Sequence, residues 1–110
     1  MSKPVGPVLR MSGDVDAVVA AIVDDNPGQQ VTVIDMGAYT RVSGDGELRV
    51  TRQSIERHLG RDFEMRQLEG LMSGFAGRID MTSEEVRWRL KRENPASGAP
   101  ATSGRAEEPT

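Results

Sequence analysis

The chain has 110 residues, of which 36% are hydrophobic and 28% charged, and its formal net charge is -3. That length suits one domain and is short for two. The acidic balance, without a basic block, argues against nucleic acid as the main partner. The lack of cysteine excludes disulfides, thiolate metal ligands and a cysteine nucleophile.

In chain order, Val5 to Met11 is a short apolar run containing a proline, the pattern of an edge strand. Asp14 stands where a helix cap belongs. Val15, Val18, Val19, Ile22 and Val23 then form one apolar stripe at helical period. Pro27 and Gly28 stop this helix. Asp24 and Asp25 lie at its C-terminal end, where negative charge is disfavoured, and nothing local offsets that conflict. Val31 to Ile34 reads as a strand, Met36-Gly37-Ala38 as a bend, and Tyr39 to Val42 as the returning strand. Ser43 to Gly46, SGDG, is a hairpin signal leading to Leu48 and Val50. Thr51 is placed to cap a short helix carrying Ile55 and Leu59, which Gly60 ends. Met65, Leu68, Leu71 and Met72 continue as helical turns. Gly77 to Met81 and Val86 to Leu90 read as a hairpin, with Val86, Trp88 and Leu90 on one side.

The order is β-α-β-β-β-α-α-β-β. It predicts a single small α+β domain, an antiparallel-rich sheet packed with two to three helices. The divisions are a short N-terminal extension at 1–4, a folded domain at 5–92 and a disordered tail at 93–110. The tail, ENPASGAPATSGRAEEPT, has no large apolar residue with which to offset the entropy of ordering it. No apolar run approaches the ~18 residues of a membrane span, and no signal peptide is visible. The expectation is a cytoplasmic protein.

Chemistry is scarce. His58 is the single histidine, expected at the surface near a helix C-terminus, in contact with the last carbonyls. One histidine and no cysteine leave only carboxylates as metal ligands, and no EF-hand spacing occurs. Asp24-Asp25 and Glu84-Glu85 are sequence neighbours that do not share a face, which suits a solvated surface. Neither GxGxxG nor GxxxxGK is present. Ser54, Ser73 and Ser83 lack the His/Asp context of a nucleophile. Trp88 and Tyr39 read as core aromatics. No catalytic, cofactor or metal residue is expected, which points to a protein that works through its surface.

Several segments carry a family resemblance: VGPVLR, DNPG, VTVIDMGAYTRV, GELRVTRQSIERHLGRDF and MSGFAGRI. Together they resemble the effector, or coupling, proteins of bacterial multicomponent di-iron monooxygenases, those of toluene and alkene monooxygenases above all. The resemblance runs from Val5 to about Leu90. Its most specific pieces are V-x-V-x-D-x-x-x-Y (Val31, Val33, Asp35, Tyr39) and L-G-R-x-F (Leu59, Gly60, Arg61, Phe63).

The resemblance implies a cofactor-free regulator that docks on the hydroxylase, over the helices covering its di-iron centre. It implies control of substrate access, oxygen activation and the coupling of NADH use to hydrocarbon oxidation. The hydroxylase is the direct partner, and the reductase or ferredoxin an indirect one. Neither nucleic acid nor membrane is expected, and the free protein is expected to be a monomer. The long N-terminal arm of the methane monooxygenase effector is not carried over, since only Met1 to Pro4 precede the core here. The family's contact segment after L-G-R-x-F matches Leu71, Ser73, Gly74 and Phe75, where only Ser73 keeps a hydroxyl. The expected hydroxylase interface is Leu71, Met72, Ser73, Gly74 and Phe75, with Asp24, Asp25, Asn26 and Pro27 as a partner-facing acidic corner. The rival classes are a small nucleotide- or RNA-binding β-α-β-β-α-β domain, which needs exposed sheet aromatics and a basic surface, and a small-molecule sensor.

Overall fold

The computed structural model describes residues 3–90. The tail expected at 93–110 lies outside the described residues. The elements are β1 (Pro4–Arg10), α1 (Val15–Asp25), β2 (Thr32–Asp35), β3 (Tyr39–Asp45), β4 (Glu47–Thr51), α2 (Arg52–Leu59), α3 (Met65–Leu71), β5 (Met72–Ala76), β6 (Arg78–Met81) and β7 (Glu85–Arg89). The class is α+β, as expected, but the strands divide into two sheets. One has the order β2-β3-β1-β5, the other β4-β7-β6, and every pairing is antiparallel. Both sheets and all three helices contribute to one core, with Leu9, Ile22, Val42, Leu48, Ile55, Leu68 and Trp88 fully buried in it.

Four local expectations are corrected. First, β1 is an interior strand, paired with β3 on one side and β5 on the other. Proline is tolerated there because the β1–β3 ladder is interrupted between Val5↔Gly44 and Val8↔Arg41, the stretch that holds Pro7. Gly6 is required at this crossing. Its φ is +145, and a Cβ would lie 2.1 Å from the Val42 carbonyl oxygen.

Second, the SGDG turn does not close a hairpin. Both edges of β3 are occupied, by β1 and β2, so the chain leaves through Gly46 (φ 86) into the other sheet. Third, the helical pattern through Met72 stops at Leu71, and the segment that follows is β5, a strand absent from the expected order. Fourth, Val23 and Leu90 are exposed rather than packed, because α1 turns its inner face at Ile22 and β7 ends at Arg89.

Of the remaining local signals, those at α2 and at the β2–β3 bend hold and the Asp14 cap does not. The Thr51 hydroxyl accepts from the Ser54 N–H at the start of α2, and Gly60 ends that helix at φ 75. The β2–β3 bend turns at Gly37, whose N–H donates to the Asp35 carboxylate at 2.8 Å. Asp14 makes no side-chain cap; its carboxylate instead accepts from Arg61 at 2.8 Å and ties α1 to the loop after α2.

Candidate docking surface

The expected interface residues fall into two places. Leu71 closes α3, and Met72 to Phe75 form most of β5. A helix cannot continue past Leu71 because Met72 is already extended (φ -80, ψ 120), and the chain pairs with β1 through Leu9↔Met72, Val8↔Gly74 and Pro7↔Phe75. β5 is an edge strand. Glycine costs little there, and Gly74 has open space where a Cβ would stand. Leu71 and Met72 are half-buried against the core, whereas Phe75 is 45% exposed. Beside β5 lies a mostly apolar groove of about 290 Å³, lined by Glu69, Met72, Ser73, Gly74, Phe75, Ile79 and Met81. The Ser73 hydroxyl reaches the Val8 carbonyl only weakly, at 3.4 Å, so it is available to another acceptor.

Asp24, Asp25, Asn26 and Pro27 sit elsewhere, at the turn after α1. Among the described residues, no hydrogen bond, ion pair or groove joins them to β5. Their charge has an internal use that the linear pattern conceals. The Asn26 amide donates to the Arg49 carbonyl (2.7 Å) and accepts from the Arg49 N–H (3.1 Å), as a neighbouring strand would. The Asp25 carboxylate accepts from the Thr51 N–H (2.8 Å), the Thr51 hydroxyl (3.0 Å) and the Ser54 hydroxyl (2.7 Å). Gln29 donates to the Glu47 carbonyl. Residues 47, 49 and 51 are alternate positions on β4, and these side chains cap its free edge, which unpaired would invite association.

Asp24 is held by His58 at 2.6 Å, with Arg57 at 3.7 Å. The hydrogen bond from His58, helped by the charges of His58 and Arg57, keeps the Asp24 carboxyl below its ordinary value of 3.8. His58 is thus exposed as expected, but its partner is this carboxylate rather than the last carbonyls of α2. Glu84 and Glu85 are likewise paired: Glu84 with Arg52 at 3.0 Å, and Glu85 with Arg49 at 3.0 Å and Arg87 at 3.2 Å.

The two aromatic expectations separate. Trp88 is fully buried, its indole N–H without a partner among the described residues. Tyr39 is 42% exposed, which corrects its assignment to the core. It stands at the end of the β2–β3 hairpin with Ile34, Met36 and Met11, also exposed. Periodicity along the chain does not reveal this group; the one signal in the sequence is the adjacent apolar pair Val33 and Ile34, which places an apolar side chain on each face of β2.

Among the described residues, no group of three or more His, Cys, Asp or Glu could hold a metal ion. No described helix is long and apolar enough to cross a membrane. The apolar groups that the core leaves exposed, Phe75 beside its groove and Ile34, Met36 and Tyr39 on the β2–β3 hairpin, lie on the surface of a two-sheet α+β module. The chain belongs to the MmoB/DmpM family, whose match covers residues 3–89. It is 46% identical over 87 residues to the effector subunit of the alkene monooxygenase system of Xanthobacter autotrophicus (strain ATCC BAA-1158 / Py2), covering 79% of this chain and 86% of that protein.

Solved structures share the fold. A chain of the phenol hydroxylase–regulatory protein complex superposes with a TM-score of 0.71 at 21% identity, covering 81% of this chain and 100% of the other. The soluble methane monooxygenase regulatory protein B gives a TM-score of 0.61 at 23% identity, covering 83% of this chain and 67% of that one.

Proposed function

We infer that this chain is the non-catalytic effector of a bacterial multicomponent monooxygenase. It binds the hydroxylase component and tunes substrate access, oxygen activation and the coupling of NADH use to hydrocarbon oxidation. The observation that carries this is the 46% identity to an alkene monooxygenase effector subunit across nearly the whole described domain. The nucleic-acid alternative falls with the family assignment, and burial of Trp88 removes one of the few aromatics it would need.

An effector shifts its hydroxylase between two arrangements only by binding one more tightly than the other. The proposed contact is Leu71 to Phe75. Phe75, half-exposed beside an apolar groove, is suited to fill a pocket, and the methionines Met72 and Met81 to adapt to a partner that moves. Asp24 to Pro27 is proposed as a flanking contact through the exposed Asp24 and Pro27. A cytoplasmic location and a monomeric free state complete the proposal.

The test is titration of this chain into its hydroxylase and electron-transfer components. Product formation and the product-to-NADH ratio rise, with an optimum near one effector per active site. A titration that changes neither overturns the assignment.

A further inference from the structure

One face of the four-stranded sheet is uncovered. Residues directly opposite in an antiparallel pair share a face. The pairs Ile34↔Arg41, Arg41↔Val8 and Val8↔Gly74 therefore lay Ile34, Arg41, Val8 and Gly74 in one row across all four strands. The next row holds Tyr39 opposite Arg10. The alternate residues Thr40, Val42 and Leu9 are buried in the core. Ile34 is 47% exposed and Tyr39 42%, and Arg10 and Arg41 are exposed. A groove containing Val8, Arg41, Phe75 and Ala76 joins this face to the β5 contact.

The charges identify what covers it. Every other arginine among the described residues lies 3.9 Å or less from a carboxylate. Arg10 and Arg41 have no such partner among the described residues. They are diagonal neighbours on one face, where like charges repel, and they stand among apolar side chains in a chain of net charge -3. Two cations left without counter-charges, inside an apolar patch continuous with the proposed contact, complement a partner surface that is apolar and carries carboxylates.

We propose that this face, centred on Arg10 and Arg41, is a second part of the hydroxylase-docking surface, and that the hydroxylase meets it with an apolar ridge bearing Asp or Glu. The inference rests on the effector reading above. It adds the β2–β3 hairpin to the contact and assigns the partner's charge.

The experiment measures the effector concentration that half-saturates hydroxylase activation, at low and at raised salt, for the full chain and its variants. Arg10→Glu and Arg41→Glu each raise that concentration by roughly tenfold or more, keep the wild-type Tm and lose most of the wild-type salt sensitivity. Arg10→Gln and Arg41→Gln give the same direction with a smaller shift. Arg66→Glu, on the exposed side of α3, stays within about twofold of wild type.

If the four variants activate at wild-type concentrations, this face is not a docking surface, while the effector reading stands on the wild-type response. A wild-type chain that activates nothing overturns both. Sedimentation that shows a wild-type dimer broken by Arg41→Glu assigns the face to a second copy and overturns the proposal. So does tighter activation on deleting residues 91–110, which would assign it to the chain's own C-terminal segment, through Glu93, Glu107 or Glu108.

Discussion

The turn after α1 and the outer face of the β2-β3-β1-β5 sheet both break a local rule, and they resolve it differently. The turn puts two aspartates at a helix C-terminus, against the dipole. The sheet face puts two arginines side by side among exposed Ile34, Met36 and Tyr39. At the turn, the apparent conflict disappears within the molecule: Asp25 and Asn26 act as a surrogate strand along β4, and Asp24 takes His58. On the sheet face nothing in the described chain answers the charges or covers the apolar groups. An odd local pattern is therefore not a sign of function by itself. It becomes one when the folded chain leaves it unanswered.

The largest expected effect tests the internal role of the turn. Asn26→Ala removes the donors to the Ile22 and Arg49 carbonyls and leaves the Arg49 N–H without its acceptor. Half-buried groups stripped of partners cost about 1–3 kcal/mol each, so a loss of about 3 kcal/mol in chemical denaturation is expected. Hydroxylase activation at saturating effector should remain. Unchanged stability would show that the amide contributes nothing to the β4 edge.

Phe75→Ala tests the other region. A core phenylalanine would cost about 3–5 kcal/mol of stability. At 45% exposure, Phe75 is expected to cost about 1 kcal/mol or less, and the effect appears in binding instead. Truncating an interface anchor costs about 2 kcal/mol, roughly a thirtyfold weaker complex. Early melting with normal affinity for the surviving folded protein would return Phe75 to the core.

The smallest effect is the pH dependence of the turn. Asp24 is held below its ordinary value of 3.8, first by the His58 hydrogen bond. Glu85 is held below 4.5, first by its Arg49 hydrogen bond, and Asp80 below 3.8, first by Arg89. A folded-state value below the unfolded one stabilises fully above the unfolded value and is lost as pH falls through the folded one. Tm should therefore be flat above about pH 5 and fall below about pH 4. Asp24→Asn should make that acid fall shallower. An identical acid limb in this variant would show that the His58 contact has no thermodynamic weight.

Most elements were legible because their signals are local. The stripe Val15, Val18, Ile22 marks α1, Thr51 and Gly60 bracket α2, and Val86 and Trp88 place β7 in the core. The misses share a cause. Whether Val5 to Arg10 is an edge or an interior strand depends on β5, some 65 residues away along the ladder that pairs Val8 with Gly74 and bonds Ser73 to Val8. Whether SGDG closes a hairpin depends on β1 having already taken the edge of β3. Tyr39 opens β3, whose alternate residues Thr40 and Val42 face the core, so it takes the outer face opposite Arg10, and β2 beside it is exposed along its whole length.

By itself the sequence determined the class of fold, the lack of a cysteine or histidine cluster for metal or nucleophilic chemistry, and the family, since composition, helix periodicity, capping residues and short motifs need no distant contact. Only the tertiary structure decided which exposed residues remain without partners. Pairing is a property of residues far apart in the chain. Asp25 meets Thr51 and Ser54 across 26 and 29 positions, and is satisfied. Arg10 meets Tyr39 across the sheet, finds no carboxylate among the described residues, and is left facing outward.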